Sequence, residues 1–385
     1  MLISEIVVWV SVSLIAYTYL VYVLILYAAV QFKKSSLGPQ ERAEVPSVSV
    51  VFSAYNEAAT LPHKIDNLHK VHYPLQKIEF MIGSDGSTDT TSSVLNSLTD
   101  PRFRIYDFAL RRGKAAVLND LVLAAKGEVV VFTDANTVFM EDTVERLVKC
   151  FNDPKIGAVC GNLVLRADID TTGGAGESVY WRYENTIKRL ESEYKTVFGG
   201  TGAVYAIRRA LYRSLPTMTP VTDDLVIPLR ILCAGFYTKY EAEAIAFEDS
   251  ENSVLREFRR KTRISAQNFH SLREFVQLLN PNRGFVAFGL WSHKIIRWFV
   301  PFLLISTFFS TLMLSLENQF YRALLMGQIF FVMFAILGLV LDLMKKRVGL
   351  FGIPYYVLAT NTALLAGFLR FLFKLERPMW EVNRS

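Results

Sequence analysis

Three short runs in the middle of this 385-residue chain place carboxylates where they could do chemistry: Ser84-Asp85-Gly86-Ser87-Thr88-Asp89, Thr133-Asp134-Ala135-Asn136 and Thr222-Asp223-Asp224. Two further runs join them. Ala54-Tyr55-Asn56-Glu57 is a polar turn closing an apolar stretch, and Arg259-Arg260-Lys261-Thr262-Arg263-Ile264 is basic. A carboxylate at a strand end accepts hydrogen bonds from a base or a ribose. Oxygen ligands around a divalent cation, or fixed Arg and Lys charges, hold a diphosphate. A further carboxylate can take the proton from an attacking hydroxyl. Activating a sugar nucleotide requires these three kinds of group together.

The elements that would position them follow from pattern. Val48–Ser53 is a compact apolar strand, and strand-like runs recur at Ile78–Ile82, Arg104–Phe108 and Glu128–Thr133. Helix-like stretches at His63–Leu68, Thr90–Leu98 and Ala115–Ala125 separate them. Such alternation implies an α/β domain with a parallel sheet covered on both faces, whose ligands bind beyond the carboxyl ends of the strands. The polar runs 54–57, 84–89 and 134–136 all follow strand ends.

Four uncharged apolar runs bracket this block: Ile6–Val30, Trp298–Leu316, Ala323–Leu341 and Val348–Leu369. Each is about the length of roughly 20 residues that a helix needs to cross a bilayer. The expected organisation is an N-terminal transmembrane helix (1–32), a catalytic domain (45–250), amphipathic interface helices with the basic motif (251–297), further transmembrane helices (298–373) and a basic tail (374–385). The interface assignment rests on Leu255, Phe258, Thr262, Ser265, Phe269, Leu272, Val276 and Leu279, which recur at three- and four-residue spacing. A core-packed amphipathic helix would show the same stripe.

Net charge is +6, and the hydrophobic fraction of 51% is high for a soluble enzyme. The basic residues Arg256, Arg259, Arg260, Lys261, Arg263, Arg273, Arg283, Lys294 and Arg297 gather before the second apolar run. Anionic headgroups or a diphosphate would be met there. Cys150, Cys160 and Cys233 have no metal-like spacing and read as reduced thiols. The first apolar run lacks a preceding basic residue and a small-residue cleavage site, so it reads as a retained anchor. Lys33, Lys34 and Arg42 after it place the catalytic block in the cytoplasm, of a bacterial inner membrane, and Lys345, Lys346 and Arg347 agree if the second and third spans form a hairpin. Lys374, Arg377 and Arg384 disagree if the last segment crosses fully. Gly352 and Pro354 leave open a re-entrant segment there.

With Gly199-Gly200-Thr201-Gly202 and Arg112-Gly113-Lys114 added in order, these motifs resemble the membrane-embedded, inverting family-2 glycosyltransferases of the cellulose, hyaluronan and poly-N-acetylglucosamine synthase type. The resemblance covers about residues 45–300 and the flanking spans. It implies a GT-A-type, Rossmann-like, parallel-rich sheet with one N-terminal and about three C-terminal transmembrane helices. By it, Ala54, Tyr55, Glu57 and Asp85 hold base and ribose, Lys114 lies near the nucleotide, and Arg260 and Arg263 steady the diphosphate. Asp134 and Asn136 take the metal positions for Mg2+ or Mn2+, Asp134 also touching the ribose. Asp224 is the base, while Gly200, Thr201, Gly202 and Asp223 line the acceptor site.

Each role has a plainer rival. Asp85 suits a turn cap, Lys114 a surface position at a helix start, and Asp223 a cap on a helix over Leu225–Leu232. The sequence also departs from the family pattern. Asn136 replaces a carboxylate, Asp223 a glutamate, Arg260 a glutamine and Ile264 the tryptophan that stacks on the acceptor sugar. Tyr180, Trp181 and Tyr183 are the aromatics that could grip an acceptor instead. The expected function is transfer from a nucleotide-sugar, UDP-linked by the resemblance, to a growing polysaccharide. Membrane lipids and an export partner are the implied associates, and nucleic acid is not. Single-sugar transfer to a lipid-linked acceptor is the alternative, and a silent nucleotide-sugar sensor a remote one, since Asp224 is present.

Overall fold

The computed structural model describes residues 1–33, 44–166, 172–249, 254–346 and 349–375. Expectations placed on Lys34, Arg42, Arg347, Arg377, Arg384 and the side chain of Leu255 lie outside the described residues. An apolar helix, α1 (Leu2–Phe32), precedes the sheet domain. Strands and helices then alternate as β1 (Val48–Ala54), α2 (Leu61–His69), β2 (Ile78–Asp85), α3 (Thr91–Asn96), β3 (Phe103–Phe108), α4 (Lys114–Ala124) and β4 (Val129–Thr133). The second half runs β5 (Val138–Phe139), α5 (Thr143–Lys149), β6 (Ile156–Arg166), α6 (Thr172–Tyr194), β7 (Val204–Arg208), α7 (Asp223–Cys233) and β8 (Tyr237–Asp249). Then come α8 (Val254–Phe275) and three long apolar helices, α9 (Phe285–Ser315), α10 (Gln319–Leu343) and α11 (Gly349–Leu372).

The eight strands form one sheet in the order β3-β2-β1-β4-β7-β6-β8-β5. Near-continuous apolar runs such as Val-Ser-Val-Val-Phe in β1 suit central strands buried on both faces. Val48, Val50 and Phe52 pack with Leu61, Ile65 and Leu68 of α2. Val51 points the other way, to Val117, Leu118 and Leu121 of α4, as the two-residue period of a strand requires. The expected parallel pairing holds across β3, β2, β1 and β4. Beyond β4 the sheet turns mixed, because β7 runs antiparallel to both β4 and β6. The result is a parallel-rich GT-A-like sheet whose strands β1, β2 and β4 end at one edge, where Ala54 pairs with Ser84.

Among the described residues four helices are long and apolar enough to cross a membrane. The second begins at Phe285, before the expected Trp298. Gly352 and Pro354 do not interrupt α11, which runs unbroken through both. The stripe on α8 is covered by protein: Thr262, Ser265 and Phe269 are buried, Ser265 Oγ donates to Leu364 O of α11 at 3.1 Å, and Phe269 meets Phe368 and Phe371. Val276 departs from the stripe and is 61% exposed, because the helix ends at Phe275 and tightens into a short 3-10 turn.

The apolar helices and the sheet domain are joined by a buried polar network. Glu184 and Glu191 on α6 both reach His293 of α9, at 2.8 Å each. Arg297 meets Glu184 at 3.0 Å and the Tyr183 hydroxyl at 3.0 Å, while the Tyr22 hydroxyl of α1 donates to Glu191 at 2.7 Å. Burial alone would raise the Glu184 carboxyl, but His293, Lys294 and Arg297 outweigh it and hold Glu184 well below the usual carboxylate range. A π-helical turn sits on each side of the contact, at Tyr17–Val21 and Leu290–Ile295. Such turns carry one residue more than a regular helix and redirect side chains. One partner removed from a buried ion pair leaves the others uncompensated. Glu184→Ala is therefore expected to cost about 3–5 kcal/mol, read as a lowered thermal midpoint of the detergent-purified chain. An unchanged midpoint would show that the network does not hold the junction.

Candidate active site

At the β1 and β2 ends two loops are stitched together. Asn56 takes a left-handed conformation (φ 54°) and its Oδ1 accepts from Thr88 N at 2.8 Å. Glu57 N donates to Thr91 Oγ1 at 2.9 Å, and Ala58 N to Asp89 Oδ2 at 3.3 Å. Ala54 and Glu57 are buried at this edge. Asp85, expected to hold base or ribose, is almost fully buried. Its oxygens accept from Arg112 N at 2.7 Å and Gly113 N at 2.9 Å. The carboxylate thus anchors the 111–113 turn that starts α4, a neighbour more distant in sequence than its own Asp-Gly-Ser turn.

That turn presents a residue the sequence did not single out. The Arg111 guanidinium lies 3.7 Å from the centroid of the Tyr55 ring, and its buried Nε and Nη2 have no hydrogen-bond partner. A planar cation stacked on an aromatic face, with spare donors, is suited to a planar, carbonyl-bearing base. Gly86 makes the approach possible. Its φ is +65°, and a Cβ there would lie 2.5 Å from Arg111 N.

The catalytic candidates meet around Lys114, in the first turn of α4. Its Nζ is 2.9 Å from Asp134 Oδ1, at the end of β4, and 3.2 Å from Asp223 Oδ1, in the first turn of α7. Burial pulls the ammonium pKa down, yet Asp134, Asp223 and Asp224 together raise it above the usual lysine value. Asp223 also accepts from the Tyr205 hydroxyl at 2.7 Å. Asp223 and Asp224 both stand in the first turn of α7, behind Thr222, where a helix N-terminus favours anions, and Asp223 is also held there by Lys114 and Tyr205. Asp224 Oδ2 accepts from Gly202 N at 3.0 Å, and Asp224 O from Gly200 N at 2.5 Å. Burial first, then Asp223 and Asp134 nearby, push the Asp224 carboxyl up to about 6 against the pull of Lys114. A carboxylate so poised is a competent base near neutrality. The expected acceptor residues Gly200, Thr201 and Gly202 thus lie directly against it.

Asn136 and the basic motif lie to one side. Asn136 Nδ2 donates to Glu248 Oε1 at 2.7 Å. Both line a cavity of about 720 Å³ with Glu177, Arg166, Arg256 and Arg260. Arg260 pairs with Glu257 at 2.7 Å, and among the described residues no contact joins it to the Lys114 group. Arg263, one turn further along α8, is partly buried and outside the cavity lining. Beneath the 134–136 loop, buried Lys64 donates to Thr133 Oγ1 at 3.0 Å and Thr137 O at 2.7 Å. Burial draws its pKa to about 7, against Asp134 and Glu248. Its signal was present in the sequence, as a charge on the Leu61, Ile65, Leu68 face of α2. Of the expected aromatics, Tyr183 donates to Tyr19 O at 2.8 Å and Tyr180 rests on Tyr356 at 5.3 Å, both turned to the apolar helices.

A divalent cation would find oxygen donors here, and the residues fit one. With its amide NH2 committed to Glu248, Asn136 keeps its carbonyl oxygen as a ligand, and Asp134 has a second carboxylate oxygen beyond Lys114. Among the described residues no group of three or more acidic, His or Cys side chains forms a closed metal cage. Mg2+ and Mn2+ sites of this kind commonly use one or two protein oxygens and complete the shell with phosphate and water. At the β1–β2 edge, Gly86→Ala is expected to force the 111–113 turn away and cost about 1–3 kcal/mol. Thermal unfolding checks it, and a wild-type midpoint would mean that the Tyr55–Arg111 stack does not depend on that approach.

Residues 49–215 match the sequence model of glycosyl transferase family 2. The chain is 26% identical over 220 residues to the poly-β-1,6-N-acetyl-D-glucosamine synthase of Staphylococcus epidermidis, covering 56% of this chain and 53% of that protein. It is 26% identical over 212 residues to the enzyme of the same name from Staphylococcus aureus, covering 53% and 50%. The chain thus spans about half the length of the curated relatives it matches. In fold it is similar to the mannosyltransferase PcManGT from Pyrobaculum calidifontis, solved in complex with GDP-Man and Mn2+. The TM-score is 0.73 at 22% identity, over 96% of this chain and 100% of that one. The sheet, its strand-end carboxylates and the sequence match agree in making residues 49–215 similar to glycosyl transferase family 2, in a fold shared with a solved glycosyltransferase.

Proposed function

We propose that this protein is a membrane-bound, inverting glycosyltransferase that moves a sugar from a nucleotide-sugar to a growing polysaccharide. One observation carries the proposal: Lys114 gathers Asp134, Asp223 and the raised-pKa Asp224 at the glycine loop Gly200–Gly202. The base rests against the Tyr55–Arg111 stack and its spare donors, and Asp134 and Lys114 face the ribose and diphosphate. Asp224 takes the proton of an acceptor hydroxyl, whose oxygen forms the new bond at the anomeric carbon from the side opposite the leaving nucleoside diphosphate. Asp134 and Asn136 would hold Mg2+ or Mn2+, which supplies charge neutralisation to the diphosphate. Lys114 adds a fixed cation, and the Arg260 and Arg263 helix supports the same end of the site. Lys33 after α1, with Lys345 and Lys346 between α10 and α11, favours a cytoplasmic catalytic domain.

A second reading keeps the chemistry and changes the acceptor to a lipid-linked one, with a single sugar added. It is supported by Ile264 in place of a stacking tryptophan and by only four long apolar helices among the described residues. Both readings are tested by reconstituting the chain with UDP- and GDP-sugars and Mg2+ or Mn2+, then following nucleoside diphosphate release and product size. A polymer supports the first, a single-sugar lipid the second, and no release from any donor overturns both.

Asp224→Asn is expected to slow transfer by about 10²–10⁴-fold while nucleoside diphosphate binding persists. Near-normal turnover would remove Asp224 from the mechanism. With its carboxyl raised to about 6, the base form prevails above that pH and is lost below it. Transfer should therefore fall about tenfold per pH unit on the acid side, and Lys114→Met should move this limb upward. A flat profile down to pH 5 would contradict the assignment. Asn136→Asp is expected to tighten Mn2+ binding, measured by the paramagnetic signal of free Mn2+, and unchanged affinity would exclude residue 136 as a ligand.

A further inference from the structure

Lys188 is only 7% exposed and pairs with no carboxylate among the described residues. Its ammonium donates once, to Thr201 Oγ1 at 2.9 Å, and otherwise lies 5.6 Å from the centroid of the Trp181 ring. Buried ammonium groups ordinarily have an anion and spend all three donors. Lys188 therefore keeps donors unspent within one residue of Gly202, whose N–H holds Asp224 at 3.0 Å.

The surroundings give those donors a chemical context. Trp181, Asn185 and Lys188 stand at i, i+4 and i+7 on α6, one face of a helix. Asn185 Nδ2 donates to Asn162 Oδ1 at 3.0 Å, and Asn162 Nδ2 to Ala242 O at 3.1 Å, which leaves the Asn185 carbonyl oxygen as an acceptor. Trp181, Asn162 and Asn185 are all partly exposed. The Trp181 indole is hydrogen-bonded to Glu177, which lines the cavity shared by Asn136 and Arg260. Trp181, partly buried against the sheet core, thus connects a residue lining that cavity to Lys188 at the glycine loop. A pyranose offers an apolar C–H face for an aromatic ring and a rim of hydroxyls for amides and an ammonium. This set of side chains supplies both. Ile264 leaves that position of the basic helix without an aromatic ring.

We propose that Trp181, Asn185, Lys188, Asn162 and Thr201 form the subsite for the terminal pyranose of the acceptor, with Trp181 as its stacking platform. The assignment rests on the glycosyltransferase reading above and names where its acceptor sits. The subsite is specific for sugar: it does not require the acceptor to be a polymer or a lipid-linked saccharide, only that it end in a pyranose.

The test uses the full chain in detergent, with a β-1,6-linked N-acetylglucosamine trisaccharide and mannobiose as probes in saturation-transfer NMR. Wild type is expected to saturate the C–H protons of one ring. Trp181→Ala and Lys188→Met should weaken that binding about tenfold or more, and Trp181→Phe should recover most of it. Nucleoside diphosphate binding, measured by calorimetry, should stay as in wild type, which a merely structural loss of α6 would not allow. Binding of neither probe by wild type, equal binding by Trp181→Ala, or parallel loss of nucleotide binding would each overturn the subsite. Acceptor KM for transfer separates this proposal from the one beneath it. Saccharide bound at Trp181 with no donor turned over would sink the catalytic reading and leave the subsite standing. Turnover with an unchanged acceptor KM in Trp181→Ala would do the reverse.

Discussion

Three carboxylates from two distant parts of the chain converge in this domain, and a single ammonium makes that convergence tolerable. Asp134 ends β4, Asp223 and Asp224 begin α7, and without Lys114 their mutual repulsion in a partly buried site would push the elements apart. Lys114 is itself placed by Asp85, whose two backbone hydrogen bonds fix the turn from which α4 departs. The chain of dependence thus runs from the C-terminal end of β2, through a buried carboxylate, to a cation, and from that cation to the Asp134, Asp223 and Asp224 carboxylates. The same field leaves Asp224 less acidic than an ordinary carboxylate while Lys114 is held charged. Acid and counter-charge are tuned by one arrangement rather than by separate devices.

A second dependence ties the domain to the apolar helices. Residues of α6 serve both ends: Glu184 and Glu191 face His293 and Arg297, while Lys188 on the same helix meets the glycine loop at Thr201. Lys33 at the end of α1 completes the attachment by donating to the last carbonyls of α6, Glu193 O and Tyr194 O, at 2.8 and 2.9 Å. Cations at a helix C-terminus satisfy both the orphan carbonyls and the helix dipole. The helix beside the glycine loop is therefore pinned at several points to segments that read as membrane spans.

Much of the fold and site was legible in the residues alone, for identifiable reasons. The strands β1 to β4 are short apolar runs ending in polar turns, and both signals are local. The second half of the sheet was not legible, because β6 and β8 mix buried and exposed positions, and β6, β7 and β8 take their direction from pairing across the chain. Carboxylates announce themselves by type, so Asp134, Asp223 and Asp224 could be named. Their partners could not. Asp85 is spent on backbone N–H groups 27 and 28 residues away, and Arg111 acquires meaning only through the Tyr55 ring. Lys64 left a trace as a charge within an apolar stripe. The nine basic residues before the second span looked like one collar, yet Arg297 and Lys294 are engaged by Glu184 and Arg260 by Glu257. Charge patterns show where cations are, and only tertiary structure shows which are already neutralised.

The ring of Phe198, one residue before the glycine loop, fits against Gly289 of α9 so closely that a Cβ there would lie 2.1 Å from it. No side chain stands between the two to take up slack. A change in the lean of that helix is delivered to the ring and onward to the backbone that holds Asp224. A long apolar helix can accommodate a bilayer thinner than its hydrophobic length by tilting, within the limits its packing sets. The thickness of a bilayer spanned by α9 would thereby bear on how Gly200 and Gly202 sit against Asp224.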